Sequence, residues 1–112
     1  MDRKEIAQKF SDEILKQSGD EIVSITLFGS VAKGVDTINS DIDILVIMDI
    51  GQNISDSIYN IVADFVIHYS ELLSILIYNI NNMSDFAKKV VNEGIVLYER
   101  NTGTPAKVQT LS

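Results

Sequence analysis

Phe28-Gly29-Ser30-Val31-Ala32-Lys33-Gly34-Val35-Asp36-Thr37-Ile38-Asn39-Ser40-Asp41-Ile42-Asp43-Ile44-Leu45-Val46 is the stretch whose reading decides the fold. An apolar run ends at Gly29-Ser30, ten residues intervene, and Asp41 and Asp43 then open a second apolar run. Gly29 and Gly34 mark places where the backbone turns sharply or comes close to something else. Between them, Ser30-Val31-Ala32-Lys33 reads as one turn of helix starting directly off a strand. Such a start points unpaired N–H groups outward, and a phosphate is their natural partner. Ser30 can cap that turn or hydrogen-bond a phosphate oxygen with its hydroxyl.

Asp41 and Asp43 form the second half of the arrangement. Strand geometry sends both to one face, with Cα atoms roughly 6.5 Å apart at about 3.3 Å rise per residue. Two carboxylates so placed can share divalent cations, and without one they repel and push one pKa up. Hard oxygen ligands on a short span favour Mg²⁺ or Mn²⁺, held together with phosphate oxygens of a substrate.

Gly29-Ser30 followed after ten residues by Asp41-x-Asp43, inside Gly-Ser-x-Ala-x-Gly and Ser-Asp-x-Asp-x-Leu-Val, resembles the nucleotidyltransferase superfamily that includes DNA polymerase beta. It is most similar to the small stand-alone members called minimal nucleotidyltransferases. The resemblance runs from the strand before Gly29 to Glu93-Gly94-Ile95-Val96-Leu97-Tyr98-Glu99, an ending common in that group. It implies an α/β fold, a small mixed sheet of three to four strands flanked by helices. It also implies ATP as substrate, Mg²⁺ or Mn²⁺ at Asp41 and Asp43, and a nucleotide-binding turn at Gly29, Ser30, Lys33 and Gly34. Minimal nucleotidyltransferases are often paired with a helical HEPN-domain protein as toxin and antitoxin, and some add AMP to a tyrosine of that partner.

With 112 residues the chain is expected to form one domain over 1–100 with a tail over 101–112, where Gly103 and Pro105 stand among few apolar residues. Hydrophobic residues make up 46%, yet no apolar stretch approaches the roughly 20 residues of a membrane helix, and Met1-Asp2-Arg3-Lys4-Glu5 is no signal peptide. A soluble cytoplasmic protein is expected. Zero cysteines exclude disulfides and thiolate metal sites. The net charge of -7 is uneven, since no Lys or Arg lies between Lys33 and Lys88. Such a surface repels a nucleic-acid backbone, so polynucleotide binding is not expected.

Working outward, Asp2 with Glu5 reads as a capping box for a first helix, and Ile6, Phe10 and Ile14 form its core stripe. Arg3, Lys4, Lys9 and Lys16 read as a solvated face. Glu21 to Phe28 is a mostly buried strand, Asp36 a turn former, and Ile42 to Met48 a strand covered on both faces. Ser55 caps a long helix with a staple between Ile54 and Tyr59, and Ile58, Ile61, Val62, Phe65 and Tyr69 face the core. Asp64 and His68, four apart, read as a surface ion pair rather than as metal ligands or an acid-base pair. Leu72 to Tyr78 is a third strand. Ser84 to Asn92 is a short helix with Phe86 and Val90 inward, Gly94 its left-handed stop, and Ile95 to Tyr98 a final strand.

One position breaks the pattern. The resemblance calls for a third carboxylate on the strand after Asp-x-Asp, and there the single polar interior residue is Ser74, which can serve neither as general base nor as a charged ligand. Glu71 is a possible third ligand, although it shares a face with Leu73 while Ser74 points the other way. Two readings follow. One is an enzyme moving a nucleoside monophosphate, AMP from ATP, onto an acceptor hydroxyl on a partner protein. The other is a weakened binding module or antitoxin that caps a helical HEPN-type partner.

Overall fold

The computed structural model describes residues 2–49 and 54–100, with side chains described from 56 onward in the second stretch. The Ser55 cap, the Ile54 staple and the tail over 101–112 therefore lie outside the described residues. The elements are α1 (Arg3–Ser18), β1 (Ile22–Phe28), α2 (Gly29–Lys33), β2 (Ile42–Met48), α3 (Ile54–Tyr69), β3 (Leu73–Asn79), α4 (Asp85–Glu93) and β4 (Ile95–Glu99), with 3-10 turns at Gly19–Glu21 and Ile80–Asn82.

Local chemistry sets the helix starts. Asp2 accepts from the Glu5 amide while Glu5 reaches back to the Asp2 amide, so the expected capping box forms. Ser84 accepts from Ala87 and starts α4. The four strands make one sheet in the order β3-β2-β1-β4, in which β2 and β3 run parallel and the other two pairs are antiparallel. This is the mixed sheet the resemblance implied, with β2 and β1 inside it.

Alternation along β2 divides the core. Ile42, Ile44, Val46 and Met48 face α1 and α3, where they bury with Ile6, Phe10, Ile14, Ile58 and Ile61. A shift in pairing between Ile22 and Ser24 lets Ile22 and Ile25, three apart, point to that same side. Leu45 and Ile47 face the other way, toward Ala87 and Val90 of α4. Each fully buried side chain of this kind contributes about 1.5–3 kcal/mol. The α1/α3 side carries the larger cluster, and α4 covers its own side thinly. Asp43, two residues before Leu45, lies on the thinly covered side.

Three expectations change. Phe86 is not inward but half exposed, while Ala87 takes the buried position beside Val90. Gly94 is not left-handed: its backbone is extended, at φ -83° and ψ -177°. It is glycine because the turn crosses β1 closely, and a Cβ there would lie 2.5 Å from Thr26 Cγ2 and 2.7 Å from the Leu27 carbonyl oxygen. Asp64 and His68 are both exposed and no ion pair joins them, because the His68 ring packs edge-on against Tyr69 instead.

Gly94→Ala is expected to destabilise the fold by about 1–3 kcal/mol, the usual cost of forcing a methyl into a filled space. Thermal unfolding checks this, with a fall of about 4–8 °C per kcal/mol for a domain of this size. An unchanged melting temperature would show that the β1 contact yields freely.

Candidate functional site

The site begins where β1 runs into α2. Phe28 occupies the N-cap position of α2 and offers no side-chain acceptor, so no residue caps this turn and Ser30 does not do so. Gly29 has φ +74°, and a Cβ on it would lie 2.1 Å from Asp43 Oδ2 and 3.0 Å from Asp43 Cγ. Only glycine meets both conditions. Gly34, also at φ +74°, closes the turn by donating to the Ser30 and Val31 carbonyls. Lys33 extends from the last residue of α2 into solvent.

Strand pairing aligns the remaining groups in one row. Phe28 of β1 pairs with Asp43 of β2, and Asp43 pairs with Ser74 of β3. Paired residues present their side chains on one face, so Phe28, Asp43 and Ser74 lie side by side on the side of the sheet that carries α4. The Ser74 hydroxyl stands next to Asp43 across the β2/β3 pairing. Burial pushes the Asp43 carboxyl above the ordinary carboxylate range, the negative charge of Asp41 adds to this, and the Ser74 hydroxyl opposes it. Asp41, just ahead of β2, is exposed.

Glu71 is elsewhere. Its Oε1 accepts from Arg3 Nε at 2.9 Å, and Arg3 Nη1 reaches Asp36 Oδ2 at 2.9 Å. The same guanidinium donates to the Thr37 and Ile38 carbonyl oxygens at 2.6 and 3.2 Å. Arg3 thus fastens α1 to the loop that leads into Asp41 and to the start of β3. It is not part of a solvated face, since its side chain is 15% exposed. Asp36, expected as a turn former, is one of its partners. Arg3 holds Glu71 on the α1 side of the sheet, with Leu73, and Asp43 lies on the other. Among the described residues no group of three or more Asp, Glu or His side chains gathers that could hold a metal ion.

A cleft of about 320 Å³ adjoins this row on the α4 side, with Gly29, Lys33 and Phe28 on one wall and Phe86 and Lys89 on the other. Sequence reasoning missed the α4 contribution. The signal was there in Ser84-Asp85-Phe86, where the cap fixes the helix phase and leaves Phe86 one step off the Ala87/Val90 stripe.

The family described as polymerase beta, nucleotidyltransferase matches over residues 9–103. The chain belongs to that nucleotidyltransferase family. No curated protein matches it significantly in sequence. Its fold is similar to that of several solved structures. A toxin-antitoxin chain crystallised with AMP-PNP shares 21% identity at a TM-score of 0.60, with 86% of this chain and 76% of that one covered. A candidate nucleotidyltransferase from Sulfolobus solfataricus shares 21% at 0.57, covering 88% and 81%. The toxin-antitoxin MntA-HepT shares 19% at 0.52, covering 86% and 73%. Within this family member Gly29 lies against Asp43, and the position paired with Asp43 on β3 holds a hydroxyl.

A carboxyl raised in the folded state binds its proton more readily there than in the unfolded chain. Stability from this source is therefore present below the unfolded Asp pKa of about 3.9 and declines as pH rises through the raised folded value. Asp43→Asn should raise the melting temperature at pH 7 without divalent cations, and the gain should vanish as pH falls below about 4. Calorimetry across that range checks it, and an equal gain at every pH would point to packing, not charge.

Proposed function

We propose that this nucleotidyltransferase moves a nucleoside monophosphate, AMP from ATP, onto a hydroxyl of a partner protein. The observation that carries the reading is the close approach of Gly29 to the Asp43 carboxylate, with Asp41 beside it. A neighbour in fold was solved with AMP-PNP and others as toxin-antitoxin pairs, which supports ATP as donor and a toxin partner as acceptor, for which the resemblance suggests a helical HEPN-type protein. The cytoplasm is the compartment this reading implies.

The donor set suits a hard divalent cation. Asp41 and Asp43 supply carboxylate oxygens, and the raised pKa of Asp43 marks negative charge that a cation would relieve. Mg²⁺ or Mn²⁺ bound there would polarise the α-phosphate and offset charge on the departing pyrophosphate. With two carboxylates in place of three, a bound cation would draw its remaining ligands from phosphate oxygens and water. Ser30, the backbone of Gly29 and Gly34, and Lys33 hold the outer phosphates. The acceptor oxygen forms a bond to the α-phosphorus, the bond to the β-phosphate oxygen breaks, and pyrophosphate leaves. The acceptor proton passes to water, since Ser74 is no base and Glu71 is held by Arg3 on the far face. Positioning carries most of the catalysis.

Ser74 also favours a second reading, a module that binds nucleotide weakly and acts by capping the helical partner. Incubation with α-labelled ATP and Mg²⁺ or Mn²⁺, with and without a HEPN-type partner, followed by intact mass, separates the two. Transfer of one AMP, lost in Asp41→Ala, is expected. Ser74→Asp, which restores a carboxylate beside Asp43, should speed transfer by about 10²-fold, the lower end of what a positioned general base contributes. No transfer by either form, with a stable complex still made, would favour the capping module.

A further inference from the structure

The cleft between α2 and α4 is lined by neither aspartate, yet it is continuous with Asp43 through Gly29. Gly29 belongs to both: its backbone lies against Asp43 Oδ2 on one side and forms cleft wall on the other. Phe28 likewise faces the cleft and pairs with Asp43 across the sheet. A ligand whose phosphates sit at Asp41 and Asp43 therefore has its other end within reach of this cleft.

The walls have a definite chemistry. Phe28 and Phe86 meet edge to face, with ring centroids 5.9 Å apart and planes at 78°, and Phe86 stays 49% exposed at the mouth. A half-exposed ring held by a second ring is a stacking platform for a planar aromatic ligand. Lys33 and Lys89 line the same cleft as the rings, and among the described residues neither is engaged in an ion pair. In a chain of net charge -7 that pairing of free cations with aromatic rings selects an anionic ligand with a flat apolar part. Glu93 at the rim can accept from a hydroxyl. The volume, about 320 Å³, falls at the small end of the roughly 300–1,000 Å³ of small-molecule sites.

We infer that this cleft is the nucleoside subsite: Phe86 stacks on the base of a nucleoside triphosphate, Lys89 faces its phosphates, and Glu93 accepts from the ribose. The inference rests on Asp41 and Asp43 as the triphosphate site. It adds that α4, through Phe86 and Lys89, sets affinity for the nucleoside part, and that the acceptor approaches from the Ser74 side of the row, since the Phe28 side is taken by the donor.

Isothermal titration of the full chain with ATP and with tripolyphosphate, each with Mg²⁺, reads the two parts separately. ATP should bind about ten-fold tighter, the scale of one base–aromatic stack. Phe86→Leu keeps an apolar side chain against Phe28 but removes the ring, so it should abolish most of that ten-fold and leave tripolyphosphate unchanged. The melting temperature of unliganded Phe86→Leu reports that α4 is intact. Lys89→Gln should weaken both ligands by a few fold, less so at high salt. Equal affinity for ATP and tripolyphosphate, or a Phe86→Leu effect that is nil or equal on both, overturns the cleft assignment. If binding is then still lost in Asp43→Asn, the triphosphate site at the aspartates stands. No Mg²⁺-dependent binding of either ligand overturns both.

Discussion

Gly29 and Asp43 come so close that no side chain fits between them, and the geometry of the site follows from that approach. For the Gly29 backbone to lie on the carboxylate, β1 must end beside the start of β2, which the pairing of Phe28 with Asp43 secures. The left-handed turn at Gly29 then starts α2 directly off the end of β1, beside the Asp43 carboxylate. A substitution at Gly29 would meet the carboxylate and leave the allowed backbone region together. Strand pairing, turn and charge are one constraint here.

The long-range frame rests on two arginines that clamp opposite ends of the sheet. Arg3 joins α1 to the 36–38 loop and to Glu71, at the end where β2 begins. Arg100 pairs with Asp49 and donates to the Asp20 carbonyl oxygen at 2.8 Å, at the end where β2 finishes. Both sit where loops meet strands, and both satisfy carbonyl oxygens as well as carboxylates, which the forked guanidinium does better than a lysine ammonium. Between the clamps, apolar packing does the rest.

Much of this was legible in the chain alone. The short helix between Gly29 and Gly34, the strand that Asp43 opens and the α1 stripe of Ile6, Phe10 and Ile14 are local patterns, and they fold as read. What escaped reading was long-range. Nothing near Arg3 announces a partner 68 residues away, so its charge looked like one of a solvated set. Gly94 looked like a helix stop because glycine after a helix usually is one, yet its reason lies in Thr26 on a distant strand. Phe86 and Val90 share a spacing of four, but the narrow face of a nine-residue helix buries Ala87 and leaves Phe86 at the cleft. Periodicity gives the stripe, and only the neighbouring strand decides where its centre falls.

Ser74 bears on why the aspartates are kept as a pair. A carboxylate there would place a third negative charge in the row of Phe28, Asp43 and Ser74, and without a cation the repulsion would raise Asp43 further. A hydroxyl does the opposite, favouring the charged form of Asp43. The same exchange removes the group best placed to take a proton from an acceptor. On the proposed reading, the exchange trades a base for a hydroxyl that leaves less like charge beside Asp43. Burial and the Asp41 charge still oppose Asp43 ionisation, and that cost has a physical return only where a cation and its phosphates come to the pair. A half-buried Asp43 held against Gly29 is thus better explained by a ligand that arrives than by the stability of the fold, which would gain from losing its charge.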